Sequence, residues 1–294
     1  MFRIVAVLAL LLATSPGWAS TALRVATTLP DLADWVAQLG GDRVEVVSLL
    51  HGAEDPHTYE PTHSDAKTLA GSRVLVKVGL GLEEWLDGLV ANANNSELMV
   101  VEAGAGLAKV ADPGASGHGD HPAGNPHVWL DPANAATMCE RIARQLEVAD
   151  PAAGAFYAKR LQDYQKRLQA AAAGIRARVA KLPDRRFISY HPAWPYFAQA
   201  FGLEVVDVVT PIPGQEPSAK RITVLIKTIR ADGIRVLVTE PQLPSEIPAL
   251  LAEETGIQVV TLSPILGSGT ATDYLGQLRS NADTLLRALG ELQP

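Results

Sequence analysis

The chain is poor in the features that would fix its chemistry quickly. One cysteine stands in 294 residues, which excludes a disulfide within the chain. Basic residues are the minority, 25 Lys and Arg against 32 Asp and Glu, for a net charge of −7. That mild acidity argues against a nucleic-acid partner and leaves no basic patch for a membrane surface. Beyond the N-terminal segment no stretch is long and apolar enough for a membrane-spanning helix. Neither His-Glu-x-x-His nor Gly-x-Ser-x-Gly occurs, so two common hydrolase signatures are missing. Histidine is scarce, with seven in the chain, and the scarcity makes their placement informative.

Three of the seven lie on tight, proline-flanked segments far apart in sequence. They are His57 in Asp-Pro-His-Thr-Tyr-Glu-Pro, His127 in Asn-Pro-His-Val-Trp-Leu-Asp-Pro and His191 in Ser-Tyr-His-Pro-Ala-Trp-Pro. Proline fixes local φ and lowers the freedom lost when a side chain is ordered. Neutral imidazole is the commonest protein ligand for zinc, and a zinc site needs about four donors on a rigid frame. Each histidine alone reads as an ordinary hydrogen-bonded loop residue; together they read as a metal site. His63 and His51 read as surface residues. His118 and His121 sit in an aperiodic Gly/Pro/Asp-rich loop, where they are incidental or weak, transient metal ligands.

The first residues read as an export signal. Met1-Phe2-Arg3 is a short basic start, Ile4 to Ala13 is an apolar run, and Gly17-Trp18-Ala19 offers a cleavage site after Ala19, with Ala22 as the alternative. The remaining chain is then expected to be soluble and periplasmic. Cys139 lies far from that cleavage site, so no lipid anchor is expected there. It falls instead in the apolar-periodic Ala136 to Ala143, as a packing residue.

Short Val/Leu-rich runs alternate with helical patterns, predicting an α/β fold of two lobes, each a mainly parallel sheet with flanking helices. Strands are expected at 23–27, 44–50, 74–78 and 99–102, and again at 187–190, 204–209, 236–239 and 259–262. Helices are expected at 32–39, 66–69, 83–93 and 133–147, and then at 194–200, 218–231, 245–254 and 273–289. Between them, 155–181 has no proline and abundant Ala, Leu, Gln, Lys and Arg, which predicts one long helix, a strut between lobes. The division is a signal segment 1–19, an N-terminal lobe 20–152, a linking helix 153–182 and a C-terminal lobe 183–294. Each lobe is expected to bury a sizeable core.

Ligands of parallel α/β sheets bind beyond the carboxyl ends of the strands. His57 follows one strand, His191 follows another directly, and His127 precedes a helix, so all three can face one crevice. Asp273, in Gly-Thr-Ala-Thr-Asp-Tyr-Leu after the last strand, is the expected fourth ligand. An Asp there serves equally well as a helix N-cap, unless Thr270 or Thr272 takes that role. Metal-bound imidazoles normally donate their other N–H to a carboxylate or carbonyl. Glu60, Asp131 and Glu240 are the local carboxylates, with Glu240 the best placed.

These segments, with Gly-Leu-Gly-Leu-Glu-Glu-Trp-Leu at 79–86 and Gly-Gln-Glu-Pro-Ser-Ala-Lys at 214–220, resemble the zinc/manganese-binding subunits of bacterial ABC importers, the cluster A-I periplasmic solute-binding proteins. The resemblance implies a metal buried between two lobes and delivery to an inner-membrane ABC permease; a monomer with no catalytic role is expected. It implies His57, His127, His191 and Asp273 as ligands. A glutamate stands at the position of His191 in the manganese branch, so the histidine points to Zn²⁺ as the cargo. The short loop before His127 departs from the long histidine-rich loop of many zinc-branch members. The alternatives are a manganese carrier of the same fold and a zinc hydrolase using Glu60 or Glu240 as base.

Overall fold

The structure is a computed structural model that describes residues 22–110, 124–210 and 215–290. The expected signal segment, His118, His121 and Gly214 lie outside the described residues. The first half runs β1 (Leu23–Thr27), α1 (Pro30–Gly40), β2 (Val44–Ser48), α2 (His63–Ala70), β3 (Val74–Lys77), α3 (Leu86–Asn92), β4 (Met99–Glu102) and α4 (Pro132–Ala149). The second runs β5 (Arg186–Ser189), α6 (Pro195–Phe201), β6 (Glu204–Val208), α7 (Ala219–Asp232), β7 (Val236–Thr239), α8 (Ile247–Thr255), β8 (Gln258–Thr261) and α9 (Tyr274–Ala288), after a long α5 (Gly154–Val179). Every strand expected from the sequence is present, with ends shifted by a residue or two.

Both sheets are parallel and share one topology, β2-β1-β3-β4 and β6-β5-β7-β8. Each therefore has a switch point, between β1 and β3 and between β5 and β7, beyond whose carboxyl ends a crevice opens. The Val/Leu composition suits strands covered on both faces; Val74, Leu75 and Val76 of β3 and Val236, Leu237 and Val238 of β7 are fully buried.

Helices α1, α2, α3 and α8 start two or three residues from the expected positions, and for α1 and α3 the physical reason is plain. Pro30 opens α1, a first-turn position where a missing N–H costs nothing. The helix expected from Glu83 begins only at Leu86. Glu83 is turned inward, its carboxylate accepting from Val78 N at 2.8 Å, Gly79 N at 2.9 Å and Thr28 Oγ1 at 2.7 Å. Burial raises its pKa against those hydrogen bonds. The loop it fixes runs through Gly79 and Gly81, both at positive φ.

Helix α5 is 26 residues long, about 39 Å at 1.5 Å per residue. Its buried stripe, Tyr157, Tyr164, Leu168, Ala171, Ile175 and Val179, packs on α1 and α4 of the first half and on α6 and α9 of the second. The core is not divided at this strut. One apolar cluster continues from Val25, Trp35 and Ile142 through α5 to Phe197, Ile265 and Leu285, and a smaller cluster around Leu225, Leu237 and Leu251 fills the far side of the second sheet.

Polar contacts reinforce the join. Asp31 of α1 accepts from Leu266 N at 2.9 Å, and Asp34 accepts from Tyr274 N, the first residue of α9, at 3.0 Å. Trp129 donates to Pro264 O at 2.7 Å, and the Tyr274 hydroxyl donates to Trp129 O at 2.6 Å. Gly52 and Gly267 let the two backbones touch; a Cβ on Gly52 would overlap the Leu266 carbonyl oxygen. A continuous core resists hinge opening. Metal-free and metal-loaded protein are therefore expected to give nearly superimposable small-angle scattering profiles; a large change in radius of gyration would contradict this.

Candidate metal centre

His57 and His127 are placed by the same local device. In Asp55-Pro56-His57 the Asp55 Oδ1 accepts the His57 N–H at 2.9 Å, and in Asn125-Pro126-His127 the Asn125 Oδ1 accepts the His127 N–H at 3.0 Å. Each is a side-chain-closed turn, with proline fixing φ at its centre. The 55–57 turn is held from behind by Trp85, whose Nε1 donates to Pro56 O at 2.8 Å. His191 follows β5 directly, at the switch point of the second sheet.

The three rings meet. Their centroids lie 4.9 to 5.4 Å apart. One nitrogen of each lies within 4.8 Å of the others. His57 Nε2 and His127 Nε2 are 3.2 Å apart. Two imidazoles on one tetrahedral ion, at about 2.0–2.1 Å each, stand about 3.3 Å apart. His127 and His191 are buried and His57 is half-buried. The space they enclose has a cavity volume of about 10 Å³, walled also by Trp129, Pro264 and Ile265. That is room for one ion or one water.

The outer faces of two rings are engaged. His127 Nδ1 lies 2.9 Å from Asn125 Oδ1, while Asn125 Nδ2 donates to Pro192 O at 2.6 Å. With its NH₂ committed, the amide presents oxygen to His127, so Nδ1 carries the proton and Nε2 presents a lone pair. Asn125 thus links the turn of His127 to the residue after His191. His191 Nδ1 lies 3.1 Å from Glu240 Oε2. Glu240 leaves the end of β7, next to β5 in the sheet, which is why the two meet.

Asp273 is not brought to this group. Among the described residues, the histidines at 57, 127 and 191 alone form a cluster able to share an ion. Asp273 is the N-cap of α9, its Oδ1 accepting from Gly276 N at 2.6 Å. The segment after β8 does reach the site, but through Pro264 and Ile265; by residue 273 the chain has moved on to the head of α9, where the Tyr274 N–H bonds Asp34. Asp273→Ala is expected to cost about 1 kcal/mol of stability, a lost cap, and to leave metal affinity unchanged. Parallel urea unfolding and chelator competition check both parts, and a large loss of affinity would restore Asp273 as a ligand.

The other readings are placed as follows. His63 opens α2 behind a Thr62–Asp65 capping box and is exposed, as is His51. Cys139 is buried in α4. Asp131 caps α4 through Ala133 N, and Glu60 is exposed. Three contributors were not singled out from the sequence: Asn125, Glu83 and Gln242, which donates to Gly52 O across the two halves at 2.6 Å. For Asn125 a signal existed, because Asx-Pro-His occurs twice. No described helix is long and apolar enough to cross a membrane.

Comparison with known proteins bears on the chain as a whole. The family described as zinc-uptake complex component A, periplasmic (ZnuA) matches residues 25–288. The zinc-binding protein AdcA of Streptococcus pyogenes is 26% identical over 90% of this chain, which spans 55% of that longer relative. The manganese-binding lipoprotein MntA of Halalkalibacterium halodurans is 25% identical, covering 92% of this chain and 89% of its own. Among solved structures, the SBP FpvC from Pseudomonas aeruginosa in complex with Mn²⁺ superposes with a TM-score of 0.82 at 32% identity, covering 92% of this chain and 99% of that one.

Proposed function

The chain belongs to the family of periplasmic zinc-uptake components, metal-binding proteins of ABC importers, and from that premise we propose that it captures Zn²⁺ in the periplasm between its two α/β halves and hands it to an inner-membrane ABC permease. The observation that carries this reading is the convergence of three proline-set imidazoles on a space of one-ion size. The ligands are His57, His127 and His191, and solvent completes the shell.

Relatives named for zinc and for manganese both match this chain, so the choice of metal rests on the donors. Three neutral nitrogens suit Zn²⁺, whereas manganese prefers more oxygen. Among the described residues no carboxylate of the kind a manganese carrier would favour joins the three imidazoles in one cluster. A zinc hydrolase is disfavoured on separate grounds. Glu240 is committed to His191 and Trp194, and Glu60 is exposed to solvent.

The test is native mass spectrometry of tag-free, stripped protein offered equimolar Zn²⁺ and Mn²⁺. One retained zinc is expected. Manganese retained in preference would move the protein to the other branch, and no retained metal would end the reading. Affinity should also depend on pH. Imidazoles bind metal only when neutral, so Zn²⁺ affinity is expected to fall as pH drops through roughly 6.5. Chelator competition between about pH 7.5 and about pH 5 reads this directly, and a flat profile would contradict ligation by histidine.

A further inference from the structure

Glu240 is a buried carboxylate with an unusual set of partners. It is 4% exposed. Its Oε1 accepts the indole N–H of Trp194 at 2.7 Å, and its Oε2 faces His191 Nδ1 at 3.1 Å. No lysine or arginine of the described residues pairs with it. A buried carboxylate without a cationic partner is costly to keep. Here it stands directly behind an imidazole that faces the cation site. His127 has a neutral amide in the same place.

We propose that Glu240 is the positioning residue of the metal centre: its two oxygens, one on Trp194 and one on His191, hold His191 as the Nδ1–H tautomer and set a negative charge behind the ring. The inference rests on the carrier reading above. It follows from counting acceptors. Trp194 Nε1 can only donate, and His191 must donate from Nδ1 if Nε2 is to present a lone pair to an ion. Both donors need an oxygen, and only a carboxylate at position 240 supplies two. A glutamine there has one oxygen and one NH₂. If the oxygen serves Trp194, the NH₂ faces His191 Nδ1 and makes it an acceptor, which moves the ring proton to Nε2, the atom that should bind metal. The charge acts in the same direction, because a carboxylate hydrogen-bonded to a ligand imidazole makes it a better donor to a dication.

The prediction is sharper than loss of function on mutation. Glu240→Gln should weaken Zn²⁺ binding by about 10–100-fold, the usual cost of removing such a partner. Trp194→Phe, which removes the competing donor and keeps the carboxylate, should keep His191 as the Nδ1–H tautomer and bind more tightly than Glu240→Gln. The double variant Glu240→Gln with Trp194→Phe should recover part of the loss, since the single glutamine oxygen is then available to His191.

The experiment is Zn²⁺ competition against a chelator for the four proteins, with long-range ¹H–¹⁵N correlation spectra of histidine-labelled, metal-free protein at neutral to basic pH. His191 is expected as the Nδ1–H tautomer in the unaltered protein and in Trp194→Phe, and as Nε2–H in Glu240→Gln. The inference is overturned if unaltered His191 is the Nε2–H tautomer, a result that needs no variant to fold. It is equally overturned if Glu240→Gln binds with undiminished affinity, or if the double variant is no better than the single. Failure of the unaltered protein to bind Zn²⁺, Mn²⁺ or any divalent ion would instead overturn the carrier reading.

Discussion

Replacing His191 with alanine is expected to weaken Zn²⁺ binding by roughly 10²–10³-fold. In structural zinc sites four protein ligands together are worth about 10–16 kcal/mol, so each ligand carries roughly 2.5–4 kcal/mol, and each 1.4 kcal/mol is tenfold. Among the described residues no further His, Cys, Asp or Glu joins the three imidazoles. Asp273 is tied to the first turn of α9, Asp55 to the His57 N–H, and Glu240 to Trp194 and His191. His63→Ala is the control, since His63 is exposed at the start of α2 and its removal should change nothing. The same contrast should appear as stabilisation. A ligand at about 100 times its Kd adds about 2.7 kcal/mol to the folded state, so Zn²⁺ should raise the melting temperature of the unaltered protein and of His63→Ala, and fail to raise that of His191→Ala at the same concentration. Equal affinity in His191→Ala and the unaltered chain would remove His191 from the site.

Much of this arrangement was legible in the sequence, and what was not has identifiable causes. Strands announce themselves because both faces are covered and the runs are uniformly apolar, as at Val74 to Val76. The histidines could be picked out because the means of fixing them is local: an Asx side chain two residues earlier, a proline between, and a closed turn. Asp273, which lies outside the histidine cluster and caps α9, is the opposite case. An Asp before a helix is the same residue whether it caps or ligates. What separates the two roles is which part of the connection after β8 faces the site, Pro264 and Ile265 rather than Asp273, a fact of the loop's path rather than of composition.

Glu83 shows a related limit. Beside Glu84 and Trp85 it has the composition of a helix start, yet three donors from β1 and the β3 loop claim its carboxylate. The continuous core was hidden as well. Periodicity shows which face of α1 or α9 is apolar, but not that Trp35 of one meets Tyr274 of the other, with ring centroids 4.9 Å apart. A metal carrier built this way has little reason to close like a hinge. Its binding wall is the 263–268 segment, and that segment is fastened to the first half by Asp31, Trp129 and the paired glycines.

Asp31 makes that fastening sensitive to pH, and the size of the effect can be stated. The residue is 1% exposed, and burial pushes its pKa up from 3.8 to about 7, with the Leu266 N–H opposing and the neighbouring Asp34 adding to the rise. Asp34 is itself raised by burial. Because the folded-state pKa lies above the unfolded one, the folded protein holds a proton between those values that the unfolded chain has released. This contribution to stability is complete below pH 3.8, is lost as pH rises toward about 7, and does not change beyond it. Asp31→Asn keeps an oxygen for Leu266 N and removes the titration. The stability difference between the two proteins, both metal-free, should therefore shift by about 3 kcal/mol between pH 5 and pH 8, at about 1.4 kcal/mol per pKa unit. The shift is in favour of the asparagine variant at the higher pH. Using the difference cancels the carboxylates remote from Asp31, which titrate alike in both chains, and leaves its coupling to Asp34 inside the measured shift. Urea unfolding of the pair at the two pH values measures it. A difference that stays constant would mean that Asp31 is ionised in the folded protein across the whole range and that the clamp on Leu266 is a charged one.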